Sequence, residues 1–355
     1  MENKLKIGVV GCGGIARVAH LPAYSHMDNA EIVAFCDIIP ERAEYLRDNF
    51  FPNAKVYTDF HQLIADPAVE SVDICTPNYL HSVIAVAALE AGKHVFSEKP
   101  DAINVEEALK MQKAAETSGK TLMVMRNNRF EGCSQYLKKY IEEGKMGDIY
   151  CGRCGWIRTR GIPGKGGWFT TKAQSGGGPL IDLGVHMIDL AIWLMGNPKP
   201  VAVSGATFNK FTEDTSKDES EHAQFGDKVE GGTFDVEDLA MGFIKFDNGA
   251  CLQIEFSWAS NIEAEKTFVE LRGDKAGASW ENWSARIFHE EGGQMVAEPA
   301  LLPQPAGGHE MCLRHYVDVV LNGATPCFVP EQGVNMIKIL TAIYESAKTG
   351  REVRL

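Results

Sequence analysis

Three things are scarce in this chain: long apolar runs, excess positive charge and paired cysteine motifs. No apolar run approaches the roughly 18 residues that a membrane span needs, so no membrane role is expected. The opening Met1-Glu2-Asn3-Lys4-Leu5-Lys6 lacks the charged-then-apolar pattern of a signal peptide, and a cytoplasmic location is the expectation. Lys and Arg number 35 against 48 Asp and Glu, a formal net charge of -13. Charge of that sign argues against nucleic acid or an anionic membrane as partner. The nine cysteines are odd in number and scattered, at 12, 36, 75, 133, 151, 154, 251, 312 and 327. Buried reduced thiols account for them. Cys151-Gly152-Arg153-Cys154 is the one close pair. No second ligand pair accompanies it at matching spacing, so no metal site is expected.

What is present is an ordinary globular composition, 45% hydrophobic and 23% charged, over 355 residues, a length that suggests two domains. Lys6 to Val10 reads as a short apolar strand. It runs into Gly11-Cys12-Gly13-Gly14-Ile15-Ala16 and then a helical pattern. This is G-x-G-x-x-G/A in the strand-loop-helix context that the motif requires. Gly11 permits the tight turn, Gly13 lets backbone approach a pyrophosphate, and a small residue at 16 lets helix and strand pack. Gly11, Gly13, Gly14 and Ile15 are therefore the expected cradle, with the phosphates at the helix N-terminus. The second strand, Glu31 to Cys36, ends at Asp37, which follows Ala16 by 21 residues. That spacing suits the acid that binds an adenosine ribose 2′-hydroxyl, and its charge favours NAD over NADP. Arg42 is a counterweight to that preference.

Strands and helices then alternate: helix over Pro40 to Asn49, strand at Lys55 to Tyr57, helix over Asp59 to Ala65, strand at Ser71 to Cys75. A helix over Val83 to Glu90 closes at Gly92, and a further helix and strand follow at Val105 to Thr117 and Thr121 to Met125. Such alternation implies a parallel sheet with right-handed crossovers, a Rossmann-type domain over residues 1–125. Between them His94-Val95-Phe96-Ser97-Glu98-Lys99-Pro100 is a strand that stops at an acid, a base and a proline. Proline pushes Lys99 out of the helical region, and a cis Lys99–Pro100 bond is open to it. Ligands bind outside the carboxyl ends of such strands, where Lys99 can reach them. The competing reading is a strand end with solvated charges.

Residues 126–355 read as a second domain with an open, mainly antiparallel sheet. Gly132 to Glu143 is helical and Ile149 to Arg158 a strand. Gly161 to Phe169 is a glycine-rich loop carrying Trp168. A helix is expected over Pro179 to Met195, with Leu180, Leu183, Met187, Leu190 and Leu194 as its apolar stripe. Asp182 and His186 lie at i and i+4 on one face, where a carboxylate can orient an imidazole as a general base. A satisfied core histidine is the alternative. Asp189, one turn on, reads as a structural partner. Strands follow at Val201 to Thr207, Leu239 to Phe246, Ala250 to Trp258 and Lys266 to Arg272, the middle two hinged at Asp247-Asn248-Gly249. Short strands near 284–289 and 294–297 and helices over Glu310 to Leu321 and Glu331 to Lys348 complete the domain. Residues 209–234 form a polar, acidic insertion expected to cover the cleft or to reach a neighbouring subunit.

The glycine loop, Thr76-Pro77-Asn78 with His81, and Gly92-Lys93-His94-Val95-Phe96-Ser97-Glu98-Lys99-Pro100 together resemble the glucose-fructose oxidoreductase, inositol dehydrogenase and rhizopine-catabolism (Gfo/Idh/MocA) family. The resemblance continues through Asn127-Asn128-Arg129-Phe130, Gly176-Gly177-Gly178-Pro179-Leu180-Ile181-Asp182-Leu183-Gly184-Val185-His186 and Tyr344-Glu345-Ser346-Ala347. It implies an NAD-dependent oxidoreductase moving a hydride between nicotinamide and a secondary alcohol of a sugar, inositol or glycoside, with a sugar 3-hydroxyl as one case. It implies Lys99, Asp182 and His186 as the proton-handling set, with either the lysine or the histidine as base. Thr76, Asn78, His81 and Glu98 are expected on the cofactor. Arg126, Asn127, Arg129, Arg158, Trp168 and Lys172 are candidates for the substrate. A homodimer or homotetramer through the open sheet is expected. Two competitors stand beside this reading: a redox-neutral enzyme that epimerises or eliminates through a transient ketone, and a non-catalytic sugar or NAD sensor.

Overall fold

Short apolar strands dominate the first third of the chain, and most are buried on both faces, as in a parallel sheet covered by helices. The computed structural model, which describes residues 4–213 and 225–355, places six of them side by side. They are β1 (Leu5–Val10), β2 (Ala30–Cys36), β3 (Lys55–Tyr57), β4 (Ser71–Ile74), β5 (His94–Ser97) and β6 (Leu122–Val124). Their order is β3-β2-β1-β4-β5-β6, and every pair is parallel. The order reverses between β1 and β4, the switch point at which such sheets bind ligands. Ile7, Val72, Ile74, Val95 and Phe96 are fully buried within it. The Lys99–Pro100 bond that follows β5 is cis.

The chain divides into two compact units, Met1–Asn127 with Gly308–Ile337, and Asn128–Gly307 with Lys338–Leu355. The helix Gly308–Asn322, expected with the second domain, packs on the first: its Tyr316 hydroxyl meets Ser71 Oγ of β4 at 2.6 Å.

The second unit is a nine-stranded sheet. Its strands are β7 (Ile149–Ile157), β8 (Pro200–Phe208), β9 (Leu239–Phe246), β10 (Cys251–Ser257), β11 (Lys266–Gly273), β12 (Ala276–Glu281), β13 (Ser284–Glu291), β14 (Gln294–Pro299) and β15 (Val353–Arg354). They run in the order β14-β13-β12-β11-β7-β10-β9-β8-β15, all antiparallel except β7 with β10. The sequence reading missed β12 and β15. Ala276-Gly277-Ala278-Ser279 lacks the β-branched residues that signal a strand. Cys151 and Cys154 lie three apart on β7, so they point to opposite faces; Cys154 is buried and Cys151 half-exposed.

One face of this sheet packs Leu252, Ile254 and Phe256 against the helix Gly184–Leu194. The single helix expected over Pro179 to Met195 is instead two, Pro179–Asp182 and Gly184–Leu194, with Leu183 between them. The segments on either side of this break are inclined by 49°. Leu180, Leu183, Met187, Leu190 and Leu194 are all buried, as their stripe required. Residues 214–224 of the expected insertion lie outside the described residues. Its last part folds onto the glycine-rich loop: Val229 N–H donates to the Lys165 carbonyl and Thr170 Oγ1 to the Thr233 carbonyl. Among the described residues no single helix is long and apolar enough to cross a membrane.

Arg129 grips Asp189 from Nε and Nη2, both at 2.7 Å, with both side chains buried. Removing one partner of such a pair strands the other charge out of water. Arg129→Ala is therefore expected to destabilise the protein by about 3–5 kcal/mol, read as a lowered urea midpoint at unchanged slope.

Candidate active site

In the first unit, β1 delivers the chain into Gly11 at φ +93. A Cβ there would stand 2.6 Å from the Cys75 carbonyl, so only glycine lets the loop cross the end of β4 this closely. At Gly13 a Cβ would meet nothing within 4 Å, which is the room that a pyrophosphate requires. Gly14 is exposed, Ile15 half-buried and Ala16 fully buried. Asp37, at the end of β2, accepts the Cys12 N–H at 2.8 Å and the Ile39 N–H at 2.9 Å. Glycine loop, open space and half-buried carboxylate together fit NAD.

The Thr76 carbonyl faces His81 Nε2 at 2.8 Å, and the Pro100 carbonyl faces His81 Nδ1 at 2.8 Å. His81 is 1% exposed and staples the loop after β4 to the turn after β5. Burial pulls its ring toward the neutral form, against the two carbonyls. Asn78 is buried beside it. Glu98 also turns inward: its Oε1 meets His20 Nε2 at 2.9 Å and its Oε2 accepts the Lys99 N–H at 3.1 Å. His81 and Glu98, expected on the cofactor, brace the segments around them through these contacts. The Lys99 side chain is half-buried.

In the second unit, the run from Gly177 to Ala191 is buried at every position except Asp182 and His186. Each of the two is half-buried, one on either side of the break at Leu183. Asp182 Oδ2 accepts from Trp258 Nε1 at 3.0 Å, and the Arg158 guanidinium acts on its charge. The His186 ring lies 5.9 Å from that of Trp156, which meets Trp283 at 6.1 Å. Trp283, with φ +62 in the turn between β12 and β13, keeps 39% of its surface exposed.

Glu237 secures the start of this helix: its oxygens accept from Gly178 N–H at 3.0 Å, Leu180 N–H at 3.1 Å and the Tyr344 hydroxyl at 2.8 Å. A Cβ on Gly177 would lie 2.0 Å from the Tyr344 hydroxyl oxygen, which explains the glycine run. Burial raises the pKa of the Glu237 carboxyl, and the two N–H groups and the hydroxyl oppose that rise.

The other substrate candidates scatter. Arg126 is buried, donating to Asp101 Oδ2 at 2.6 Å and covering the Phe328 ring. Arg129 is committed to Asp189, and Arg158 donates to the Gly161 carbonyl at 3.1 Å over the Trp156 ring. Asn127 is 8% exposed. Trp168 stacks on Phe169 with ring centres 3.8 Å apart, and Lys172 is exposed beside the Tyr344 ring. Sequence reasoning missed Glu237, Trp156, Trp258, Trp283 and His20. The tryptophans are a scarce type, six in all, but nothing local marks which ones face His186.

This combination of switch-point glycine loop, Asp37 and an Asp-His helix over an open sheet defines a nicotinamide-dependent oxidoreductase. The chain belongs to the Gfo/Idh/MocA family: residues 5–126 match its "Oxidoreductase family, NAD-binding Rossmann fold" and residues 138–355 its "Oxidoreductase family, C-terminal alpha/beta domain". It is 33% identical to D-glucoside 3-dehydrogenase of Escherichia coli K12 over 100% of this chain and 98% of that one. It is 27% identical to scyllo-inositol 2-dehydrogenase (NADP(+)) of Bacillus subtilis, covering 99% and 96%. Among solved structures, GenD2 from gentamicin A biosynthesis in complex with NAD superposes with a TM-score of 0.80 at 26% identity, covering 100% of this chain and 97% of that one. The protein is an oxidoreductase with NAD as its cofactor.

Gly13→Ala is expected to leave the thermal midpoint within about 2 °C, because the methyl stands in open space. It should weaken NAD binding about tenfold or more, because the glycine motif leaves that space for a pyrophosphate. Thermal melts and tryptophan quenching by NAD check both halves.

Proposed function

We propose that this enzyme oxidises a secondary hydroxyl of a glycoside, the sugar 3-hydroxyl being the first candidate. The carrying observation is the pair Asp182 and His186, each half-buried in an otherwise buried run, with Asp182 held by Trp258. The 33% identity to a D-glucoside 3-dehydrogenase along the whole chain supports the choice of sugar class and position.

NAD, when bound, accepts the hydride from the carbon. Gly11, Gly13, Gly14 and Ile15 would hold its phosphates, Asp37 its adenosine ribose, and Thr76, Asn78, His81 and Glu98 its nicotinamide side. The protein's own work is position and proton transfer. His186 takes the hydroxyl proton on its ring. Asp182 steadies the imidazolium that forms. Lys99 donates a hydrogen bond to the reacting oxygen. Trp156 and Trp283 give the sugar ring or its aglycone an apolar wall beside His186.

The enzyme works in the cytoplasm, where NAD is available. It acts as a homo-oligomer: Tyr150, Phe208, Met241 and Phe243 are exposed on or beside the open sheet, and a second copy covers them.

The test is NADH formation across glycosides, free pyranoses and inositols, with NAD and then NADP. A glycoside should respond with NAD. Lys99→Ala and His186→Ala should each lose about 10²–10⁴-fold in kcat/KM. Trp283→Ala should raise KM about tenfold with kcat little changed. Full turnover in Lys99→Ala and His186→Ala would remove both from the mechanism. NAD bound in the purified protein with no NADH from any sugar would favour the redox-neutral reading.

A further inference from the structure

A second cluster of ionisable side chains lies beneath the Lys99 turn, and the chemistry above makes no use of it. Its centre is His20, fully buried at the end of the turn Ala16–His20 that follows the glycine loop. This turn is a π turn: Leu21 N–H reaches back five residues to the Ala16 carbonyl. Such wide turns recur at functional sites. His20 Nδ1 stands 2.8 Å from Asp73 Oδ2, and His20 Nε2 stands 2.9 Å from Glu98 Oε1. Asp73 is fully buried and Glu98 is 5% exposed.

The proton count follows from these distances. With both carboxylates ionised, each ring nitrogen donates and the ring is an imidazolium. Glu98 has its second oxygen on the Lys99 N–H at 3.1 Å. A proton moved onto Glu98 Oε1 would leave His20 neutral, its Nε2 accepting from the carboxyl, and would take the charge off both. The distances fit two ionised carboxylates sharing one protonated ring, with the second Glu98 oxygen on the Lys99 backbone.

We propose that His20 is a positioning residue for the reaction: as a buried imidazolium it clamps Glu98, and through that carboxylate it fixes the backbone of Lys99. This rests on Lys99 being the reacting lysine.

The electrostatics agree. Burial pushes the Glu98 carboxyl up, but the hydrogen bond and charge of His20, with the charges of His309 and Lys99, hold it well below the usual carboxylate range. Burial pulls His20 down, and Asp73 with Cys75 raises it well above the usual histidine range. The groups facing Glu98 are His20, Lys99, His81 and His309 from the helix Gly308–Asn322. Those facing His20 are Asp73, Glu98, His309 and Cys75, whose Sγ lies 3.4 Å from Nδ1. Burial pushes the Cys75 thiol up to about 12, so it stays neutral. Tyr24 and Tyr316 face Asp73. His20, Asp73 and Cys75 also have the composition of a metal-ligand set. The imidazolium already takes the cation's place between the carboxylates.

The direction of the pH effect is fixed. Without the His20 charge, burial dominates and Glu98 takes up a proton at higher pH than before. The test compares His20→Gln, Lys99→Ala and the parent protein by thermal melt, NAD affinity and kcat/KM against pH. His20→Gln keeps hydrogen-bonding ends but no charge. The proposal expects it to fold and to bind NAD within about threefold of the parent. Its acid limb in kcat/KM should move up by about one pH unit or more, with activity recovering toward the parent at high pH. A pH profile of unchanged shape, merely lowered at every pH, would overturn the proposal and leave His20 a packing residue. Should His20→Gln fail to fold, ¹⁵N spectra of the parent's histidines decide: two ring N–H signals that persist in one buried histidine above pH 8 support the proposal, and a neutral ring there overturns it. Lys99→Ala at parental activity would overturn the mechanism on which the proposal rests, and is seen independently of the His20 result.

Discussion

A carboxylate out of water must be surrounded by donors or else take a proton, and that constraint shapes both halves of this enzyme. Asp73 and Glu98 share one imidazole, Asp101 takes the Arg126 guanidinium, and Asp189 is gripped by Arg129. Glu237 gathers two backbone N–H groups and a tyrosine hydroxyl. Each of these pairs joins elements distant in sequence, and three of them sit directly against a segment for which chemistry is proposed: the glycine run before Asp182, the helix of His186, the turn of Lys99. Rigid supports of this kind are what keep reacting groups within the narrow tolerance that catalysis requires. They also explain why so many charged residues contribute nothing to the surface charge that a substrate meets.

Much of this was legible in the chain because backbone constraints are local. Gly11 must turn and pass Cys75 closely, and Gly13 must leave space, so the loop reads directly as a phosphate cradle. The apolar stripe from Leu180 to Leu194 is a helix period, and every member is buried. The parallel alternation and the mainly antiparallel sheet followed from periodicity and turn signals. Partners were not legible. His20 lies 53 residues from Asp73 and 78 from Glu98, and Glu237 lies 59 from Gly178. Nothing in a local pattern announces such pairings. For the same reason Arg126 and Arg129 read as substrate groups, when burial had committed them elsewhere. The break at Leu183 and the π turn at Ala16–His20 were equally silent, since both keep a helical rhythm of apolar residues. Sequence position likewise did not say which core the helix Gly308–Asn322 would join.

The chemistry asks for little beyond this scaffold. Hydride transfer belongs to the cofactor, and in the proposed mechanism the protein supplies one proton acceptor, one donor to the reacting oxygen and an oriented setting. Asp182 and His186 are half-buried in a run where every other side chain is buried. Beside them the indoles of Trp156 and Trp283 offer an apolar surface, while most polar groups nearby are already engaged. That pairing of a proton-handling edge and an apolar wall suits a sugar ring, which has hydroxyls at its rim and C–H groups on its faces.

The central claim is direct transfer of hydrogen from a sugar carbon to NAD. The measurement that tests it most directly uses methyl glucoside carrying deuterium on carbon 3, followed by mass analysis of the nicotinamide product. The account predicts NADH bearing one deuterium and slower turnover than with the unlabelled sugar. Deuterium lost to water with no labelled NADH, or NADH formed without label, would contradict it.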